Sequence, residues 1–221
     1  YPIGVEGRKG SLGSYYSVRD YCAVDPCLGT MEDFDAFVAE AHRLGMKVLL
    51  DWIANHTARD ARWVTEKPAS WYERDASGAP AVPWDWTDTA KLNYAEREVW
   101  RAQGDAMEFW VREHGVDGFR CDMAMLVPIE FWNETAQRLR RVKPDLFMLA
   151  EAEETYLFDG GAFDACYAWE MHHLMNDVAQ QRVRVTSLRD YIYADRRRYP
   201  RSAMRLAFTS NHDENSWNGS E

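Results

Sequence analysis

Gly118-Phe119-Arg120-Cys121-Asp122 is the stretch from which the fold can be read. Side chains alternate along a strand, so Phe119 and Cys121 point one way and Arg120 and Asp122 the other. Gly115 and Gly118 bracket the end of a helix and the start of this strand. Met123-Ala124-Met125 cuts the strand off, and Pro128 opens the next helix. An arginine and a carboxylate therefore share a face at the C-terminal end of a strand that feeds a helix. In parallel α/β folds that end carries the functional groups. Alone, the pair reads equally as a structural ion pair.

The pattern recurs. Three other expected strands end in acidic or histidine-bearing groups: Asp51-Trp52-Ile53-Ala54-Asn55-His56, Leu149-Ala150-Glu151 and Ser210-Asn211-His212-Asp213. Four strand ends converging on carboxylates, imidazoles and one arginine describe a site rather than surface decoration.

Working outward, residues 1–30 are rich in Gly and Tyr and read as loop. Thr30 caps a helix with Asp33 as a capping-box partner, and Phe34, Phe37, Val38, Ala41 and Leu44 fall at helical spacing up to Gly45. Met46–Asp51 reads as a buried strand. Residues 57–93 break the rhythm with four prolines or glycines and the cluster Trp63, Trp71, Trp84 and Trp86, as an inserted segment does. Helices follow at 95–114, 128–142, 170–181 and 187–197, the last capped by Thr186, with strands at 118–122, 146–151, 163–168 and 204–210. About five strands alternating with helices predict a parallel α/β fold. A closed barrel needs eight, so the chain reads as an interior slice with apolar surface exposed at its open edges.

The 221 residues are 46% hydrophobic, enough for one large core. A net charge of −10 argues against nucleic acid. No apolar run approaches the roughly 20 residues that span a bilayer. Tyr1 is not an initiator Met, so nothing follows about a leader, and cytoplasmic, periplasmic and secreted locations stay open. Cys22 and Cys27 have the spacing to pair, while Cys121 and Cys166 read as buried thiols in strands. Ten Trp and eleven Tyr exceed the needs of a core and suit the flat apolar faces of ligands such as sugars.

These motifs resemble those of the α-amylase family of retaining glycoside hydrolases. Asp51 to His56 is similar to the family's D-x-x-x-N-H, Gly118 to Asp122 to its G-F-R-x-D, and Asn211-His212-Asp213 to its N-H-D; Glu151 falls where the catalytic Glu of the fifth strand belongs. Residues 13–30 resemble the loop after the second strand. The resemblance implies a TIM (β/α)8 barrel with a short subdomain inserted after the third strand. Residues 1–56 would run from the end of strand 2 to strand 3, residues 57–93 would be the insert, and residues 94–221 would run from helix 3 to strand 7. The first strand, most of the second, the eighth and a C-terminal β-domain would lie outside the chain.

The implied activity is retaining, double-displacement cleavage of α-1,4-glucosidic bonds in starch-like or malto-oligosaccharide substrates. Asp122 would be the nucleophile, kept ionised by Arg120. Glu151 would be the acid/base, with its pKa raised by the flanking Met148-Leu149-Ala150. Asp213 would be the third carboxylate. His56 and His212 would hydrogen-bond the sugar, Tyr16 would stack on it, and Asp51 would partner Arg120. Glu153 and Glu154 are rival acids, though Glu154 and Glu151 cannot both face the site. His172-His173 reads as ordinary helix core and surface. Asn55 matches a family position that binds structural Ca²⁺, with Asp60, Asp85 and Asp88 as further candidate ligands; no organic cofactor is implied. Met125 and Leu126 stand where many relatives carry a sugar-binding Lys-His. Lys91-Leu92-Asn93 resembles the family's short specificity motif without its Asp. Within the family, an α-glucan transglycosylase or an α-1,6-glucosidase is the alternative. Outside it stand a non-catalytic relative and a metal-dependent hydrolase using His56, His212 and Asp213.

Overall fold

The structure is a computed structural model that describes residues 1–214. After an N-terminal loop comes helix α1 (Met31–Arg43), with the expected reciprocal capping box between Thr30 and Asp33. Strand β1 (Leu49–Trp52) is followed by a two-stranded antiparallel ribbon, β2 (His56–Ala58) and β3 (Thr89–Lys91), with the short helix α2 (Arg62–Glu66) between them. The chain continues as α3 (Arg97–Glu113), β4 (Gly118–Cys121), α4 (Ile129–Val142), β5 (Phe147–Ala150), β6 (Ala165–Tyr167), α5 (Trp169–Ala179), α6 (Thr186–Arg198) and β7 (Met204–Leu206). Five strands form one all-parallel sheet in the order β1-β4-β5-β6-β7.

The alternation read from Gly118–Asp122 holds. Phe119 and Cys121 are buried among the helices with Trp52, Trp110, Trp132 and Met148. Arg120 and Asp122 lie on the opposite face. Register aligns Leu49, Gly118 and Phe147, then Asp51, Arg120 and Leu149. Asp51 and Arg120 are thus neighbours across the sheet.

Gly118 is required by space. A Cβ there would sit 1.9 Å from the Phe147 carbonyl oxygen and 2.9 Å from Leu49 Cδ2. No rotamer change relieves a clash with backbone. One residue earlier, Asp117 ties the other end of the sheet. Its carboxylate accepts from the Val48 N–H at 2.9 Å and meets Lys143 at 2.8 Å, His42 at 2.7 Å and Lys47 at 3.2 Å. Burial would raise this carboxyl, but the four donors outweigh it and hold it well below the usual carboxylate range.

Several expectations need correction. The last strand stops at Leu206, not Ser210, so residues 211–213 lie on a loop. The first strand starts at Leu49, because the Val48 N–H goes to Asp117 instead of into the ladder. Thr186 begins α6 from inside and Val185 takes the cap position, with no side-chain cap bond. Cys22 and Cys27 are exposed free thiols. Trp63 and Trp71 pack with Tyr72, Leu92 and Val99 as a small core of their own. Apolar side chains stand exposed near both outer strands: Phe37, Leu44 and Met46 on one side, Met204 and Leu206 on the other.

Gly118→Ala should therefore destabilise the protein by about 3 kcal/mol or more, as overpacking against fixed backbone does. Urea unfolding of the variant checks this. A midpoint equal to the parent's contradicts the close approach.

Candidate active site

Three sheet strands and two loops bring the candidate residues together. Arg120, nine-tenths buried at its side chain, is the centre. Its Nη1 donates to Asp51 Oδ1 and to Asp122 Oδ1, each at 2.8 Å. Its Nη2 approaches Glu151 Oε1 to 2.6 Å as an ion pair, off the line of a hydrogen bond. Its Nε donates to the Tyr167 hydroxyl at 3.3 Å. Burial would weaken the guanidinium's hold on its proton, but Asp51 and Glu151 outweigh it, so Arg120 stays charged.

One cation here faces three carboxylates, so Arg120 does not keep Asp122 ionised by itself. Burial, and then the Glu151 carboxylate, push Asp122 up to about 8 against the pull of Arg120. Burial also raises Glu151, against Arg120 and the Met123 N–H. The apolar flank expected to raise Glu151 is present, since Met148, Leu149 and Ala150 are all buried. Asp122 and Glu151 are coupled: the Glu151 carboxylate helps to raise Asp122, and Asp122 pulls Glu151 the other way.

Met123 is a contribution that sequence reasoning missed. Its backbone is left-handed (φ 42°, ψ 49°), unusual for a bulky residue, and its N–H donates to Glu151 Oε2 at 2.9 Å. The turn that ends β4 thereby aims a backbone donor at the neighbouring strand's carboxylate. No residue-type signal marks this.

Around the cluster, the Tyr16 hydroxyl donates to Asp51 Oδ2 at 2.9 Å and accepts from His212 Nε2 at 2.7 Å. His56 is buried. Its Nδ1 accepts from Asn55 Nδ2 at 3.2 Å and its Nε2 donates to the Tyr16 carbonyl at 3.1 Å, an assignment fixed by that network. Burial pushes His56 down to about 4, so the ring is neutral. Asp213 lies 3.5 Å from His212 and roughly half exposed, on the open side. A cavity of about 220 Å³ opens between Tyr16, His56, Asp122, Glu151 and Asp213. Trp86, Lys9 and Asp88 complete its wall. Asp88 was anticipated only as a metal ligand; it is buried, with one carboxylate oxygen unpartnered among the described residues.

Other candidates go elsewhere. Asn55 Nδ2 donates to His56, and the Asn55 backbone carbonyl accepts from Leu92. Asp60 faces the Val5 N–H and Arg19, and Asp85 faces Lys9. Among the described residues no group of three or more His, Cys, Asp or Glu side chains gathers to hold a metal, and the candidate calcium ligands do not converge. This also disposes of His56, His212 and Asp213 as a ligand set, since both His56 nitrogens are engaged. Glu153 pairs with Arg205 and Glu154 is exposed, leaving Glu151 as the acid that faces the cavity. His172 is core and His173 is exposed, as expected. Lys91 pairs with Glu73 and Asn93 with the Ser70 carbonyl, away from the cavity lining.

Comparison with known proteins agrees with this geometry. The family described as "Alpha amylase, catalytic domain" matches residues 10–87 and 70–218. An alpha-1,4-glucan:maltose-1-phosphate maltosyltransferase from Arcanobacterium haemolyticum is 35% identical over 173 residues, 69% of this chain and 25% of the transferase. An alpha-amylase from Lactobacillus plantarum superposes with a TM-score of 0.89 at 35% identity, over 96% of this chain and 53% of that one. A noncanonic maltogenic alpha-amylase from Thermotoga neapolitana superposes with a TM-score of 0.88 at 37% identity, over 96% of this chain and 49% of that one. The chain thus spans about a quarter of the transferase and about half of each amylase structure. Its five parallel strands are part of that family's TIM barrel, and the chain belongs to the alpha-amylase family.

Proposed function

We propose that the protein is a retaining α-glucoside hydrolase that cleaves α-1,4-glucosidic bonds in starch-like or malto-oligosaccharide substrates. The observation that carries the reading is the Asp122–Arg120–Glu151 cluster at the cavity. Retaining hydrolysis needs two carboxyls about 5–5.5 Å apart, whereas inverting enzymes hold theirs about 6.5–9.5 Å apart to admit a water. Two carboxyls bracketed by one guanidinium favour the closer arrangement.

In this scheme Asp122, the carboxylate that receives an aligned bond from Arg120, attacks the anomeric carbon. Glu151, raised by burial, gives its proton to the departing glycosidic oxygen. A covalent glucosyl ester on Asp122 results, with inverted configuration. Glu151, now ionised, takes a proton from water, which attacks the ester and restores the α configuration. Asp213 holds sugar hydroxyls and supports the positive charge that develops on the ring. Neutral His56, held by Asn55 and the Tyr16 carbonyl, lines the cavity without adding charge, and Tyr16 offers its ring face to the sugar. A sugar hydroxyl in place of water would give transfer instead of hydrolysis; the likeness to a maltosyltransferase favours carrying this second reading.

Asp122→Asn in the whole protein should lower hydrolysis by several orders of magnitude, because the site offers no substitute nucleophile in line. Glu151→Gln should hurt natural glucans far more than activated aryl glucosides, whose leaving groups need little protonation. The first-formed product should be the α anomer. Proton NMR of early product separates the cases: a β anomer contradicts double displacement. Product analysis on maltoheptaose, isomaltose and starch sorts hydrolysis from transfer and fixes the linkage.

The raised carboxyl also makes a stability prediction. A group whose pKa is raised on folding favours the native state below its ordinary value, about 4, and loses that contribution as pH climbs through its folded value, here about 8. Asp122→Asn removes a buried ionisation and should raise Tm by about 3 °C at pH 8, with little gain at pH 4.5. Thermal melts at the two pH values check this. A variant equally destabilised at both shows that burial of Asp122 does not oppose its charge.

A further inference from the structure

We propose that Trp84 is a sugar-stacking platform at the rim of the cavity, seating a glucosyl unit of the substrate beyond the two joined by the scissile bond. The inference rests on the glucan reading of the site and names how far the substrate extends.

Of the tryptophans among the described residues, Trp84 alone is exposed, at 65%. Its backbone has φ +48°, a region that bulky residues rarely occupy. It takes the second position of a turn closed by the Trp86 N–H on the Pro83 carbonyl at 3.0 Å, where glycine or asparagine would sit without strain. A large apolar ring carried on a strained backbone and largely exposed gains little from the protein's own packing beyond its contact with Trp86. Strain held in this way collects at functional positions.

Both residues that follow Trp84 lead to the cavity. Trp86 lines it, and its ring lies 5.2 Å from His56 and 4.7 Å from Trp84. Asp85 meets Lys9, another lining residue, at 3.5 Å. An aromatic path therefore runs from His56 through Trp86 to Trp84 and out of the cavity. The ligand class that suits such a path is a chain of pyranose rings, whose apolar faces stack on indole while their hydroxyls stay in water. Trp63 and Trp71, from the same segment, are spent on packing and offer no such face.

The test uses the whole protein and its Trp84→Ala and Trp84→Phe variants, with maltopentaose and an aryl α-glucoside as probes. Trp84→Ala should raise KM for maltopentaose about tenfold, the scale of one aromatic stack, and leave kcat and the aryl glucoside KM unchanged. Trp84→Phe should recover most of the loss. Tm should change little, since the removed ring is largely exposed and the backbone conformation is unchanged. Calorimetric binding of maltopentaose in an Asp122→Asn background should show the same tenfold loss. If the parent hydrolyses maltopentaose and Trp84→Ala matches it in KM and affinity, the platform is overturned. If the parent binds maltopentaose through Trp84 but does not cleave it, the platform stands and the hydrolase reading falls. If the parent neither binds nor cleaves it, both fall.

Discussion

One guanidinium, Arg120, sits beneath three carboxylates from three adjacent strands, and the rest of the site is arranged around that imbalance of charge. Removing ionisable groups from water is expensive, and one cation cannot neutralise three anions. The structure meets the demand with directed donors. Tyr16 donates to Asp51 and the Met123 N–H donates to Glu151, while burial raises both Asp122 and Glu151. A raised carboxyl is also what acid-assisted cleavage requires. The feature that makes the cluster costly to fold is therefore the one that fits it for chemistry, as paired carboxyls elsewhere do.

The sheet supplies this cluster through register. Arg120 stands beside Asp51 because Leu49 pairs with Gly118, and that pairing needs a residue without a Cβ against the Phe147 carbonyl. Asp117 pins the opposite end with a buried carboxylate and four donors. The two ends of one strand thus divide the labour. Asp117 is saturated and well below the usual carboxylate range, while Asp122 is raised.

Much of this was legible in the sequence, because it depends on period and on residue type. Two-residue alternation placed Phe119 and Cys121 in the core and Arg120 and Asp122 opposite, and a parallel α/β sheet followed from strands and helices in turn. The end of β7 was not legible: Ala207 and Phe208 continue an apolar run past Leu206, where the pairing stops. The Met123 donor is a backbone group set by one left-handed turn, and no side chain advertises it. The bond from Asn55 to the next residue, His56, depends on side-chain orientation, which residue type alone does not set. Trp84 could not be told from Trp63 and Trp71 by composition, because only packing across the inserted segment separates an exposed ring from a buried one.

The central claim is that Asp122 becomes covalently bonded to the sugar. A fluorinated α-glucosyl fluoride, which forms such an ester faster than water can break it, captures the intermediate in the whole protein. Peptide mapping by mass spectrometry should then find one added fluoroglucosyl group, on the peptide containing Asp122 and on its carboxylate, with loss of activity in proportion to labelling. A label on Glu151 or Asp213, or complete inactivation without any covalent adduct, would contradict the account.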